Sequence, residues 1–184
     1  KELAGTQKNA WLKVLTSQFP DKPKEEIRIL DIGTGPGFFP VILAEAGYHV
    51  DAVDYTEGML EKAKENAGEL CRNIRFQRMD AQKLEFADNT FDVVISRNLT
   101  WNLEHPDVAY REWVRVLKAG GKLLNFDANW YGYLYEEEQR KAYENDRKNV
   151  ENNSLDDHYL CTDIERMERI ALQVPLSKIR RPQW

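Results

Sequence analysis

Cysteine and histidine are scarce in this 184-residue chain, which holds only Cys71 and Cys161, and His49, His105 and His158. No Cys-x-x-Cys pair occurs and no histidine is spaced to complete a zinc site, so a structural metal or a disulfide framework is not expected. The scattered histidines give no local support to a Ser/His/Asp triad. Long apolar runs are missing too: nothing approaches the roughly 20 residues that cross a bilayer, and the charged start at Lys1 and Glu2 lacks a signal-peptide core. These absences predict a soluble cytoplasmic protein without a membrane partner. Ten glycines and seven prolines exclude collagen-like or low-complexity architecture. An excess of positive charge is also lacking, with 26 Lys and Arg against 31 Asp and Glu. That balance argues against a nucleic-acid partner.

What is present is a chain of one domain's length, 42% hydrophobic and 31% charged, enough for a full core. Trp11, Leu12, Val14, Leu15 and Phe19 recur at helical spacing, and Pro20 to Pro23 closes that segment. Five β-rich runs follow: Ile27–Ile32, His49–Val53, Ile74–Met79, Phe91–Ile95 and Lys122–Phe126. Helical patterns separate several of them: Phe38–Ala46 stopped by Gly47, Glu57–Ala67 with Thr56 placed to cap it, and Asp107–Leu117 stopped by Gly120-Gly121. Strands alternating with helices predict an α/β fold, a doubly wound parallel sheet in which each crossover helix returns the chain in the same direction. Ligands in such sheets bind beyond the carboxyl ends of the strands.

From Tyr135 the rhythm changes. Glu136/Arg140, Glu137/Lys141 and Glu144/Lys148 stand at i, i+4 with the acid first, which supports an exposed helix. Thr162 and Glu165 have the spacing of a capping box for a further helix with Ile164, Met167, Ala171 and Val174 on one face, ended by Pro175. The expected organisation is a single domain over 1–184: a leading helix and linker over 1–25, a binding core over 26–134 and a helical cap over 135–184.

The strongest motif is Leu30-Asp31-Ile32-Gly33-Thr34-Gly35-Pro36-Gly37-Phe38, a strand entering a Gly-x-Gly-x-Gly turn and then a helix. Glycine is required where the backbone takes positive φ or a ligand approaches the main chain. Asp54, 21 positions after Gly33 and at the end of the second run, is placed to accept hydrogen bonds from ribose hydroxyls. A dinucleotide site expects Gly-x-Gly-x-x-Gly; here the third glycine comes one position early and Pro36 stands inside the turn. Asp31 brings negative charge where a pyrophosphate would lie, which suits a cationic ligand better. No Gly-Lys-Ser/Thr element follows, so a P-loop is excluded.

Asp31 to Gly37, Asp54, Asp80-Ala81 after the third run and Phe91 to Ser96 together resemble the class I S-adenosylmethionine-dependent methyltransferases of small-molecule type, over Ile27 to Asp127. The resemblance implies a Rossmann-like fold, S-adenosylmethionine as cofactor and a small-molecule methyl acceptor as partner. It implies that Gly33, Gly35 and Gly37 line the methionine portion with Asp31 near its ammonium, that Asp54 binds the ribose, and that Asp80 accepts from the adenine amino group while the Ala81 main chain meets a ring nitrogen. Tyr55 and Met59 flank the adenine, and Arg97 offers its main chain to the methionine end. Two alternatives stand beside these roles: Met59 as a core residue of its helix, and the Arg97 guanidinium as half of a surface ion pair.

In-line displacement at an activated sulfonium demands positioning and exclusion of water rather than a fixed triad or metal. His105 is the best-placed candidate general base, but His105-Pro106 also reads as a loop entering the next helix. Trp101 and Asn102 after the fourth run, and Trp130, Tyr131 and Tyr133 after the fifth, either wall an acceptor pocket or anchor the helical insertion. The loop Ser96-Arg97-Asn98-Leu99 is not of the Asn-Pro-Pro-Tyr type, which disfavours methylation of nucleobase amines. A nicotinamide-dependent oxidoreductase and a non-catalytic cofactor-binding module stay open as rivals, as does the closure of Trp11 over the cofactor. The family's sheet ordinarily carries an antiparallel hairpin after strand five; no such run follows Pro175, and the stop at Trp184 is expected to mark a truncated or partly ordered chain.

Overall fold

The computed structural model describes residues 7–153 and 163–178. Five strands form one sheet: β1 (Ile29–Ile32), β2 (Val50–Asp54), β3 (Ile74–Arg78), β4 (Phe91–Arg97) and β5 (Leu117–Phe126). Their order is β3-β2-β1-β4-β5, with every pairing parallel. The order reverses between β1 and β4, the topological switch point at which open α/β sheets bind ligands. Central strands buried on both faces need continuous apolar runs. Accordingly all four residues of β1 are buried, as are the first six of β4.

The helices are α1 (Gln7–Thr16), α2 (Phe38–Glu45), α3 (Glu57–Ala67), α4 (Pro106–Val116), α5 (Glu137–Asn153) and α6 (Ile164–Ala171). Helix α2 is buried from Phe38 to Ala44. Its side chains enter two clusters, one with Leu15, Ile29, Val93 and Ile95 and another with Ala52, Ala67 and Ile74. Pro40 is tolerated because it falls in the first turn, whose amides lack helical partners. Trp11 packs edge-on against Phe39 and Phe126 at 5.3 and 5.1 Å between centroids.

The start of the last strand and the manner of capping α3 differ from the sequence expectation. Strand β5 begins at Leu117, where a helix end was expected, and Gly120-Gly121 lies inside the strand. The register shifts between Phe91 and Val93, whose partners are Leu117 and Lys122. Gly120 takes φ +77°, and a Cβ on Gly121 would stand 2.9 Å from the Asp92 carbonyl. The glycines therefore make a bulge beside β4 rather than a helix stop. Thr56 does occupy the N-cap position of α3 but makes no side-chain capping bond; its amide is held by Asp54 Oδ1 at 2.9 Å.

The chain divides into two compact units, one from Lys1–Asn98 with Asp107–Phe126 and the other from Leu99–Pro106 with Asp127–Trp184. The first contains the sheet. At the amino end of β4, Asp92 accepts from Lys22 Nζ at 2.6 Å, Lys118 Nζ at 2.8 Å and the Arg28 amide at 3.0 Å. Burial alone would raise its carboxyl, but these hydrogen bonds hold it down at about 2.

The second unit packs Tyr131, Tyr133 and Ala171 with Trp101, Leu134, Tyr135, Tyr143 and Met167. Tyr133 stacks on Tyr143 at 4.2 Å and bonds to Glu168 at 3.1 Å. Asp127 accepts from the Thr100 amide at 3.0 Å and from its hydroxyl. On α5, Glu137 pairs with Lys141 as the spacing predicts, while Arg140 reaches Glu137 and Glu144. Helix α6 is capped by Asp163, whose carboxylate accepts the Arg166 amide at 2.9 Å; Thr162, Cys161 and His158 lie outside the described residues. Among those residues no helix is long and apolar enough to cross a membrane.

Candidate functional site

The turn after β1 is built by backbone conformations that side chains resist. Gly35 and Gly37 take φ of +53° and +84°, in the left-handed region where a Cβ meets the following carbonyl. At Gly37 a second reason applies, because a Cβ there would stand 2.9 Å from that of Ala63. This close approach is how α2 and α3 settle beside the turn. The Gly33 and Thr34 amides both donate to the Val53 carbonyl, at 2.9 and 3.0 Å, and Gly35 donates to Asp54 Oδ2 at 2.8 Å. The end of β2 thus holds the turn after β1.

Asp31 is 3% exposed. Burial pushes its carboxyl up to about 7; Asp54 adds to the rise, while Thr34 and Arg97 ease it. The Thr34 hydroxyl does not reach hydrogen-bond geometry, and its oxygen is buried and unpartnered. A buried carboxyl beside an unsatisfied hydroxyl is suited to a ligand that brings positive charge and a donor.

Asp54 spends one lone pair of each oxygen on the Gly35 and Thr56 amides. A carboxylate has about four acceptor positions, so capacity is left for two hydroxyls. Asp80 and Ala81 follow β3 in a turn, with Gln82 N–H on Asp80 Oδ1 at 2.8 Å and Lys83 N–H on the Asp80 carbonyl at 3.0 Å. Ala81 gives its carbonyl to the buried indole of Trp113 at 2.9 Å.

Met59 is 45% exposed and Tyr55 66% exposed, so Met59 is not a core residue of α3. The Tyr55 ring is backed by the Arg78 guanidinium, 5.7 Å from its centroid. Arg97 lies among aromatic rings. Its guanidinium sits over Phe38, Trp11 and Phe39, at 5.0, 5.4 and 5.7 Å from the ring centroids, a cation–π arrangement.

The first unit therefore brings together Asp31, Gly33, Gly35, Gly37, Asp54, Tyr55, Met59, Asp80, Ala81 and Arg97 at or after the carboxyl ends of β1, β2, β3 and β4. Asp31 sets a negative charge beside the turn, which opposes a pyrophosphate, and the three carboxylates Asp31, Asp54 and Asp80 suit a cationic, hydroxyl-bearing, amine-bearing ligand. These residues fit S-adenosylmethionine.

The remaining candidates belong to the second unit. Trp101 meets Tyr131 edge-on at 5.0 Å and Trp130 at 6.2 Å. Tyr131 and Tyr133 are buried in that unit's core, while Trp130 is 44% exposed. Tyr133 also lines a cavity with Tyr143, Arg140 and Glu168, and Trp130 keeps an open face. His105 is exposed in the loop before α4, 3.8 Å from Glu104. Cys71 is a free thiol near the Lys64 carbonyl at 3.5 Å. Among the described residues no cluster of three or more His, Cys, Asp or Glu groups is placed to hold a metal. Sequence reasoning missed the cage around Arg97 and the contact between Trp113 and Ala81; the aromatic pattern Phe38-Phe39 with Trp11 was the available signal for the first.

Residues 30–125 match the family model described as a methyltransferase domain. The demethylmenaquinone methyltransferase of Clavibacter sepedonicus is 39% identical over 98 residues, 53% of this chain and 39% of that protein. Phosphoethanolamine N-methyltransferase 3 of Arabidopsis thaliana is 35% identical over 118 residues, 61% of this chain and 24% of that protein. The chain thus spans less than half the length of these curated relatives. Among solved structures, the S-adenosylmethionine dependent methyltransferase from Mesorhizobium loti superimposes with a TM-score of 0.56 at 26% identity, covering 70% of this chain and 57% of that one. With its sheet, its glycine turn and more than half its length matched, this chain belongs to the methyltransferase-domain family, that of the class I S-adenosylmethionine-dependent methyltransferases.

Proposed function

We propose that this chain binds S-adenosylmethionine at the carboxyl edge of β1, β2 and β3 and transfers its methyl group to a small-molecule acceptor. The observation that carries the reading is the series of carboxylates Asp31, Asp54 and Asp80 at three neighbouring strand ends around a glycine turn that carries no cation. In this reading Asp31 faces the ammonium, Gly33, Gly35 and Gly37 let the methionine portion lie against the main chain, and Asp54 takes the ribose hydroxyls. Asp80 and the Ala81 amide recognise the base, with Tyr55 and Met59 against its faces. The Arg97 main chain borders the methionine end, its side chain being held by the rings.

Bound there, the cofactor supplies a methyl already activated by a positive sulfur. The protein's share is orientation and exclusion of water; a base is needed only where the acceptor must lose a proton. Acceptor choice falls in this reading to the residues following β4 and β5, with Trp130 as its exposed aromatic. Relatives named for a demethylated quinone and for phosphoethanolamine support a small-molecule acceptor without fixing which.

Thermal shift with S-adenosylmethionine, S-adenosylhomocysteine and NAD tests the cofactor, because a ligand that binds only the folded state raises apparent stability. Stabilisation by the first two alone is expected, and a response to NAD alone overturns the reading. Methyl-labelled cofactor incubated with a metabolite extract tests transfer: labelled small molecules support it, and none across broad extracts makes the chain a binding module.

A further inference from the structure

The segment between β3 and β4 carries Asp80 and Ala81, yet its only ladder contact among the described residues is the isolated bridge between Asp80 and Lys83. Helix α4 holds it instead. Arg115 donates to the carbonyls of Leu84 and Phe86, each at 2.8 Å, and to Asp88 at 2.7 Å. Glu112 accepts the Leu84 amide at 2.9 Å and pairs with Arg115. Trp113, fully buried, donates its indole N–H to the Ala81 carbonyl at 2.9 Å. The first two clamps hold the far half of the segment; the indole holds the half that carries Asp80.

The Ala81 carbonyl and the Gln82 N–H belong to one planar peptide group. Fixing the carbonyl therefore fixes the direction of that N–H, which donates to Asp80 Oδ1 at 2.8 Å. A buried hydrogen bond at one end of the peptide plane sets the orientation of a half-buried carboxylate at the other. The Gln82 side-chain amide donates to the same oxygen, Asp80 Oδ1, at 3.4 Å.

We propose that Trp113 is a positioning residue for base recognition: through the Ala81–Gln82 peptide it orients Asp80 to accept from an amino group on a purine and to reject a carbonyl at the same place. This rests on the reading that Asp80 meets the base of the cofactor. The rejected ligand class is the deaminated, 6-oxo nucleoside, whose oxygen would face the carboxylate without a proton between them.

Binding of S-adenosylhomocysteine and of its 6-oxo analogue S-inosylhomocysteine is measured by calorimetry on the unmutated chain, Trp113→Phe, Asp80→Ala and the double variant. The unmutated chain is expected to prefer the adenosyl ligand, and Trp113→Phe to narrow that preference by about tenfold, the worth of one charge-assisted hydrogen bond. In the Asp80→Ala background Trp113→Phe then changes the ratio no further, the mark of two residues acting through one contact. Loss of affinity for both ligands in parallel, with the ratio unchanged, overturns the proposal and leaves Trp113 a core residue. Should Trp113→Phe not fold, hydrogen exchange of the Gln82 amide in the unmutated chain decides: slowing with the adenosyl ligand only supports the relay, and equal slowing with both overturns it. Failure of the unmutated chain to bind S-adenosylhomocysteine at all counts against the proposed function, a separate result.

Discussion

Asp54 Oδ2 accepts the Gly35 amide at 2.8 Å, so the end of β2 and the glycine turn after β1 form one unit. Asp54→Ala removes that tie together with the proposed ribose acceptor. Affinity for S-adenosylhomocysteine, measured by calorimetry, should fall by about 1–3 kcal/mol. Unchanged affinity would remove Asp54 from the site.

Asp31 should make both stability and binding depend on pH. Its carboxyl is raised from 3.8 to about 7, so between about 4 and 7 the folded chain keeps a proton that the unfolded chain has released. Stability of the unliganded protein therefore falls as pH rises through that window and stays at its lower level above it. An ammonium beside Asp31 favours the ionised form, so S-adenosylhomocysteine should bind more tightly at pH 8 than at pH 6. Denaturant titrations and calorimetry across that range check both trends, and Asp31→Asn should flatten them.

The two glycines of the turn should respond unequally to alanine. Gly35→Ala meets no atom within 4 Å and bears only the cost of φ +53°, about 1 kcal/mol. Gly37→Ala adds a 2.9 Å approach to the Ala63 side chain and should lose at least about 2 kcal/mol. Equal midpoints in urea for the two variants would contradict the packing of α3 against the turn.

Asp92 separates stability from binding, because it lies at the amino end of β4 while the proposed site lies at the carboxyl end. Asp92→Ala leaves Lys22 and Lys118 without the carboxylate they share, and should lower the melting temperature while S-adenosylhomocysteine affinity in the folded protein stays as it was. Its carboxyl is held at about 2 against an ordinary 3.8. The stabilisation is thus present above about 4 and lost as pH falls toward 2. An acid unfolding curve that Asp92→Ala leaves in place would remove this group from the account.

Much of the site was legible because it is written locally. The alternation of apolar runs with helical periods, the glycines of the turn and the acids at the ends of β1, β2 and β3 are all short-range patterns, and backbone sterics make the glycines nearly obligatory for this strand–turn–helix. The start of β5 was misplaced for a local reason as well: Gly120-Gly121 serves equally as a helix stop and as a strand bulge, and only the register against Phe91 and Val93 selects the bulge. Arg97 could not be assigned from its loop, since its rings come from Trp11, Phe38 and Phe39, far away in the chain.

By itself the sequence determined the order of strands and helices, the conformation of the turn from Gly33 to Gly37, and the placing of Asp31, Asp54 and Asp80 at strand ends. Tertiary structure alone decided which candidates are buried and which exposed. It turned Tyr131 and Tyr133 inward and left Met59, Tyr55 and Trp130 open. It also set the indole of Trp113 against Ala81, 32 residues away. The physical reason is that turn chemistry and periodicity act over a few residues, whereas desolvation and the choice of hydrogen-bond partner depend on segments that meet only when the sheet has assembled.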